Sequence, residues 1–171
     1  MLESWALMRD FGPYALHTPP DEAEEIRDLI SHIVERYHDV HRREFPEAIR
    51  LARTVEAVHA GARGAPQGLA DHLAAMFEAL EAHQQREERA LFPAMGNGGC
   101  AAVRFPIARM MAEHRDVEDQ LVRLRALTRN HTAPTDACRA WKALADACRK
   151  LDEDLVEHMR LENEELFAYF V

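Results

Sequence analysis

Residues 81–93, EAHQQREERALFP, place His83 and Glu87 four positions apart, so on a helix both side chains leave the same face. Leu91 follows a turn later, and Phe92-Pro93 closes the segment. Residues 157–167, EHMRLENEELF, repeat the construction with His158, Glu162 and Leu166-Phe167. Aligned without gaps, both copies read H-x-x-x-E-x-x-x-L-F. One such pair is ordinarily a surface ion pair. Two pairs with the same apolar sequel point instead to an imidazole and a carboxylate delivered by each of two helices. That is half of a carboxylate-bridged dimetal site in a helical bundle, and its other half requires imidazoles from two further helices.

The rest of the chain fits such a bundle. At 171 residues it is one domain, able to bury a core without staples. It is rich in Ala, Leu, Glu and Arg and poor in Gly and β-branched runs, which predicts an all-α fold. A net charge of −9 argues against nucleic acid or an anionic membrane surface as partner, because both select basic patches. No apolar run approaches the ~20 residues that span a bilayer. The start, MLESWALMRDFG, lacks a basic stretch followed by an apolar one, so no secretory signal is expected. Cys100, Cys138 and Cys148 are odd in number and form no C-x-x-C pair. They read as reduced thiols, which makes the cytoplasm the expected location. A monomer is the expected state.

In chain order, residues 1–20 carry Trp5, Met8, Phe11 and Tyr14 among Gly12, Pro13, Pro19 and Pro20, and read as an N-terminal arm packed against a body spanning 21–171. Asp21 is the expected N-cap of a first helix whose apolar positions run Ile26, Leu29, Ile30, Ile33, Tyr37 and Val40, with a kink or restart at Pro46. GARGAPQG, 61–68, is a loop. A second helix covers about 69–92, with an inward stripe Leu69, Leu73, Met76, Leu80, His83, Glu87 and Leu91. A third opens near Phe105-Pro106 and points Ile107, Met110, Met111, His114, Val117, Glu118, Leu121 and Leu124 inward. After a loop at 130–135, Asp136 is the expected cap of a fourth helix with the stripe Trp141, Leu144, Cys148, Leu151, Leu155, His158, Glu162 and Leu166. Three-four spacing and short loops predict an up-down-up-down four-helix bundle.

A shared site must lie at one depth. His83 and His158 precede their helix ends by about nine to twelve residues, so ligands on the antiparallel helices must follow their starts by a similar count. His114 and His32 meet this condition, which places all four imidazoles about 13 to 17 Å from one bundle end. By face alone His41 looks better than His32, but it lies about a dozen ångströms deeper. The expected ligands are therefore His32, His83, Glu87, His114, His158 and Glu162. The remaining histidines, His17, His38, His41, His59 and His131, read as solvated or supporting, while His72 sits where it would line an access path. Unpaired carboxylates at core positions cost several kcal/mol, which strengthens the metal reading.

Histidine and carboxylate without thiolate suit iron, with manganese or zinc as weaker candidates. With Glu87 and Glu162 bridging and two imidazoles on each ion, every ion has four protein ligands. A solvent-derived oxo or hydroxo bridge supplies a fifth and leaves a position open for a diatomic molecule.

The order His32, His83-x-x-x-Glu87, His114, His158-x-x-x-Glu162 resembles hemerythrin-like domains. Over about 22–168 the chain is similar to the di-iron domain of the iron-sulfur cluster repair family (YtfE/ScdA type), through stretches such as HIVERYHDVHRREFPEAIRLARTVEAVH, REERALFP and PIARMMAEH. The resemblance implies two irons bound by those six positions. It also implies binding or reduction of NO, or reaction with O2 or peroxide, in protection or repair of iron-sulfur centres under nitrosative or oxidative stress. Iron-sulfur proteins and an electron donor are the implied partners. Members of that family usually carry an additional N-terminal cysteine-motif domain, where this chain has its aromatic arm. Ser31 and Ala79 stand where acidic residues are expected; Glu113, beside His114, retains one. Glu118 stands where oxygen-carrying hemerythrins have a fifth histidine, which argues against a simple O2 carrier. Glu113 and Glu118 are the expected acid–base residues. The competing readings are a hemerythrin-like O2, NO or redox sensor or iron binder without turnover, and a metal-free interaction bundle.

Overall fold

The computed structural model describes residues 20–98 and 101–171, without the side chains of 20 and 101. Residues 1–19 of the arm, with His17, and Cys100 therefore lie outside the described residues. Four helical rods form the body. The first is α1 (Pro20–Ile33), a π-helical turn (Val34–His38) and α2 (Asp39–Val58). The second is α3 (Leu69–Arg86), a π turn (Glu87–Leu91) and α4 (Phe92–Gly96). The third is α5 (Arg104–Thr128), entered through a short 3-10 turn, and the fourth is α6 (Arg139–Arg160), continued by a π turn (Leu161–Leu166). α2 packs on α3 and α6, and α5 on α3 and α6, so each rod touches its two neighbours around a square. With short connections this is the up-down-up-down bundle that the periodicity predicts. No described helix is long and apolar enough to cross a membrane.

Local corrections are few. The first helix already includes Pro20, so Asp21 sits in its first turn rather than capping it. Pro46 lies inside an unbroken α2, so the helix does not restart there. The fourth helix is capped by the extended Cys138, not by Asp136. Cys148 is buried, and burial pushes its thiol up to about 12, which leaves it unreactive.

The core has two separate apolar bodies. One contains Phe45, Val55, Leu73, Leu80, Leu121 and Leu155. The other contains Ile26, Tyr37, Leu91, Ile107, Leu166 and Phe167. Every rod passes from one to the other, and a thin polar layer, where the histidines and glutamates lie, separates them.

The connection after α5 is strained at Arg129, Asn130 and His131, which have φ of 51°, 54° and 57°. Left-handed backbone without glycine costs roughly 1–2 kcal/mol per residue. Side chains hold it in place. The Thr128 hydroxyl oxygen accepts from the His131 backbone N–H at 3.1 Å. Asp152, 6% exposed, accepts from His131 at 2.7 Å and from Arg125 at 2.5 and 2.6 Å. Burial raises the Asp152 pKa, but the hydrogen bonds from Arg125 and His131 outweigh it and hold the carboxyl below its usual range. A carboxylate with a depressed folded pKa stabilises above its unfolded pKa and loses that contribution as pH falls through the folded value. Asp152→Ala is expected to cost about 3 kcal/mol at pH 7 in urea unfolding. The gap to wild type should hold down to about pH 4 and shrink below it. A gap below about 0.5 kcal/mol at pH 7, or one that grows in acid, would contradict this role.

Candidate metal centre

The polar layer holds two interlocking groups of potential ligands. His38, Glu87, His158 and Glu162 converge in one, and His83, Glu87, His114 and Glu162 in the other. All six residues are at most 3% exposed, and the two glutamates are fully buried. Nε2 of His38 and His158 lie 3.1 Å apart, and Nε2 of His83 and His114 3.2 Å apart. Glu87 divides its oxygens, Oε1 lying 3.2 Å from His83 and Oε2 3.6 Å from His38. Glu162 does the same, with Oε2 at 3.1 Å from His114 and Oε1 at 3.0 Å from His158. Donors about 2.1 Å from a shared cation and at right angles to each other lie about 3.0 Å apart, close to most of these spacings.

The donor chemistry fits a cation. Both oxygens of Glu87 and Oε2 of Glu162 are buried without a hydrogen bond, an arrangement that costs several kcal/mol unless positive charge compensates it. Burial pulls the His83 pKa down, but the charges of Glu87 and Glu162, with the hydrogen bond to Glu113, leave it raised to about 9. Burial works to raise Glu162, yet His158, His114 and His38 hold it well below the carboxylate range. The layer is built to be electrically paired.

Outer groups fix three of the rings. The Nδ1–H of His38 donates to Glu88 at 2.7 Å, that of His83 to Glu113 at 2.9 Å and that of His114 to Asn163 at 2.8 Å. A neutral ring held this way presents its Nε2 lone pair to the site. Glu113 also accepts from Arg86 and Arg109. Those bonds and the one from His83 outweigh burial and bring its pKa down to about 2. Phe92 stacks on His38 at 5.7 Å, and Glu88 and Phe92 also line a surface cavity of about 400 Å³.

The backbone is adjusted at the same points. His38 ends one π turn, Glu87 begins the second, and Glu162 is the second residue of the third. A π turn inserts one residue into the helix, rotates the facing of every later position, and recurs at functional sites.

Five of the six expected ligands, His83, Glu87, His114, His158 and Glu162, are brought together. His32 is not. It is exposed and meets the layer only through an edge-on contact with Tyr37 at 6.0 Å; His38 takes its place. The depth count failed because helix one starts at Pro20, eighteen residues before His38, and so overhangs the end where the other rods stop. Facing pointed the right way, since His38 and His41 share a side of the helix and both are fully buried. Glu118 is also outside the layer. Val117 takes the inward position on α5, and Glu118 is exposed on a surface cavity. Glu113 touches His83 rather than its neighbour His114. His72 clamps α3 to α5, its Nε2–H donating to the Gln120 carbonyl at 2.9 Å.

Residues 29–170 match the family described as Hemerythrin HHE cation binding domain. The chain belongs to that hemerythrin family. It is 42% identical over 157 residues to the iron-sulfur cluster repair protein YtfE of Edwardsiella ictaluri, covering 89% of this chain and 71% of that protein. It is 41% identical over 158 residues to YtfE of Yersinia pseudotuberculosis, covering 90% and 72%. With YtfE of Salmonella typhimurium the identity is 40% over 145 residues, covering 85% and 66%. The chain therefore spans about two thirds to seven tenths of the length of these relatives. Fold and polar layer both suit a cation-binding hemerythrin domain.

The correction at helix one is directly testable. His38→Ala is expected to lose about half or more of the bound metal and His32→Ala less than about a tenth, by elemental analysis of purified protein. The opposite ranking would restore His32.

Proposed function

We propose that the chain binds two iron ions and uses them on NO, O2 or peroxide in the protection or repair of iron-sulfur centres. His38 and His158 would hold one ion, His83 and His114 the other, with Glu87 and Glu162 bridging. The observation that carries this reading is the division of each buried carboxylate between two imidazole pairs. A single cation would leave one pair and two oxygens unused.

Four imidazoles and two carboxylates without a thiolate favour iron over zinc, with manganese the next best fit. Iron held there would supply one-electron redox chemistry and open coordination positions for a diatomic ligand. The chain's own residues prepare and protect the place. Glu88, Glu113 and Asn163 lock three rings. The six residues are at most 3% exposed, which leaves room for a small ligand and not for a large substrate. Glu113, ionised at neutral pH, accepts the Nδ1 proton of His83 and has none of its own to give. Its part is to orient and polarise that ring, not to act as an acid.

The repair role is supported by the names of relatives that share 40–42% of aligned residues. Iron-sulfur proteins damaged by NO or oxidants are the proposed clients, with a separate electron donor. Anaerobic reconstitution is expected to load about two irons per chain. NO added to the reduced protein should then yield N2O, and the protein should restore activity to a cluster enzyme inactivated by NO. Less than about half an iron per chain would contradict the metal reading. Two irons that bind NO without N2O or repair would contradict turnover and favour sensing.

A further inference from the structure

Three of the four site histidines have an evident partner for Nδ1. The fourth, His158, has none: its Nδ1 is buried without a hydrogen bond. Two other buried, unpartnered atoms lie nearby, Nε2 of His41 and Oε1 of Gln84. His41 and Gln84 are both fully buried, and Gln84 already holds the other nitrogen of His41, its side-chain amide lying 3.1 Å from Nδ1. The His41 ring centroid is 5.4 Å from that of His158. Paired site rings whose nitrogens are 3.1 and 3.2 Å apart have centroids at 4.9 Å. The extra half ångström is small enough for a turn of the two rings to close an N–H···N bond of about 3 Å without moving the helices.

We propose that His41 is a positioning residue for His158: its Nε2 accepts the His158 Nδ1–H, and Gln84 fixes the tautomer that makes this possible. The Gln84 amide turns its oxygen to the His41 Nδ1–H, which leaves a lone pair on Nε2. The chain then runs from Gln84 Oε1 through His41 to His158, whose Nε2 faces the metal position. All three unpartnered atoms gain a role, since Gln84 Oε1 and His41 Nε2 accept and His158 Nδ1–H donates. No carboxylate hydrogen-bonds His41 among the described residues, so the acceptor is neutral.

The arrangement pairs the two halves of the site. Each half has one ring backed by a carboxylate, His38 by Glu88 and His83 by Glu113. Each has a second ring backed by a neutral acceptor, His114 by Asn163 and His158 by His41. Stacking of Tyr37 on His158 at 5.4 Å and 7° holds the plane of that ring while His41 sets its rotation.

The inference rests on the metal reading above, and the test separates the two. Iron is loaded anaerobically into wild type, His41→Leu, His41→Gln and Gln84→Leu. Release to a ferrous chelator is followed, and urea unfolding is measured on the metal-free proteins. Loss of an outer-shell partner costs about 10–100-fold in metal affinity. His41→Leu is therefore expected to release one of its irons at least about tenfold faster, with metal-free stability equal to or above wild type. His41→Gln, whose amide oxygen can accept, should stay within about threefold of wild type. Gln84→Leu leaves both rings in place and should release iron at least about threefold faster, which keeps the test alive if His41→Leu does not fold. Wild-type release in His41→Leu or Gln84→Leu would overturn the proposal. So would equal acceleration in His41→Leu and His41→Gln, or faster release matched by lost metal-free stability. A wild type that takes up no iron would overturn the metal reading itself, before any variant is compared.

Discussion

Two fully buried carboxylates, Glu87 and Glu162, sit between two apolar bodies with imidazoles on every side, and this juxtaposition constrains the rest of the molecule. A carboxylate in an apolar interior is tolerated only against positive charge or several donated hydrogen bonds. Here the hydrogen bonds are incomplete and the positive charge falls to protonated histidine or to metal. The bundle thus carries a layer whose stability depends on what occupies it. Hydrophobic burial in the two flanking bodies holds the four rods together, so the layer itself need not stabilise the fold.

The helix geometry serves the same layer. Straight α-helices could bring residues spaced three and four apart to one face, but the ligands must also converge on common points. Three of the four rods widen into π turns at His38, Glu87 and Glu162. The third rod, which contributes only His114, remains α-helical throughout. Sequence propensity does not account for the distortion: none of the three π turns contains proline or glycine.

Much of this is legible in the sequence. The repeated His-x-x-x-Glu with its Leu-Phe sequel marks rods two and four, and the three-four spacing of apolar residues yields four helices and their order. Spacing does not reveal where rod one begins relative to its neighbours. Counting from a presumed common end selects His32, and the overhang of α1 defeats that count. Periodicity favours the side of His41, which His38 shares; without the π turn the sequence offers no way to rank them. Glu118 shows the opposite limit. It stands one turn from His114, yet the inward line of α5 passes through Val117, and a single step of phase puts a carboxylate in solvent. The supporting contacts of Glu88, Glu113 and Asn163 are long-range and carry no local signal, apart from the adjacency of Glu113 to His114.

Sharing of two carboxylates by two imidazole pairs is the central claim. Anomalous diffraction at the iron edge, on crystals of anaerobically loaded protein, addresses it most directly. Two peaks about 3–4 Å apart are predicted, one between His38 and His158 and the other between His83 and His114, with Glu87 and Glu162 reaching both. A single peak, or a peak ligated by His32 with His38 turned away, would contradict it.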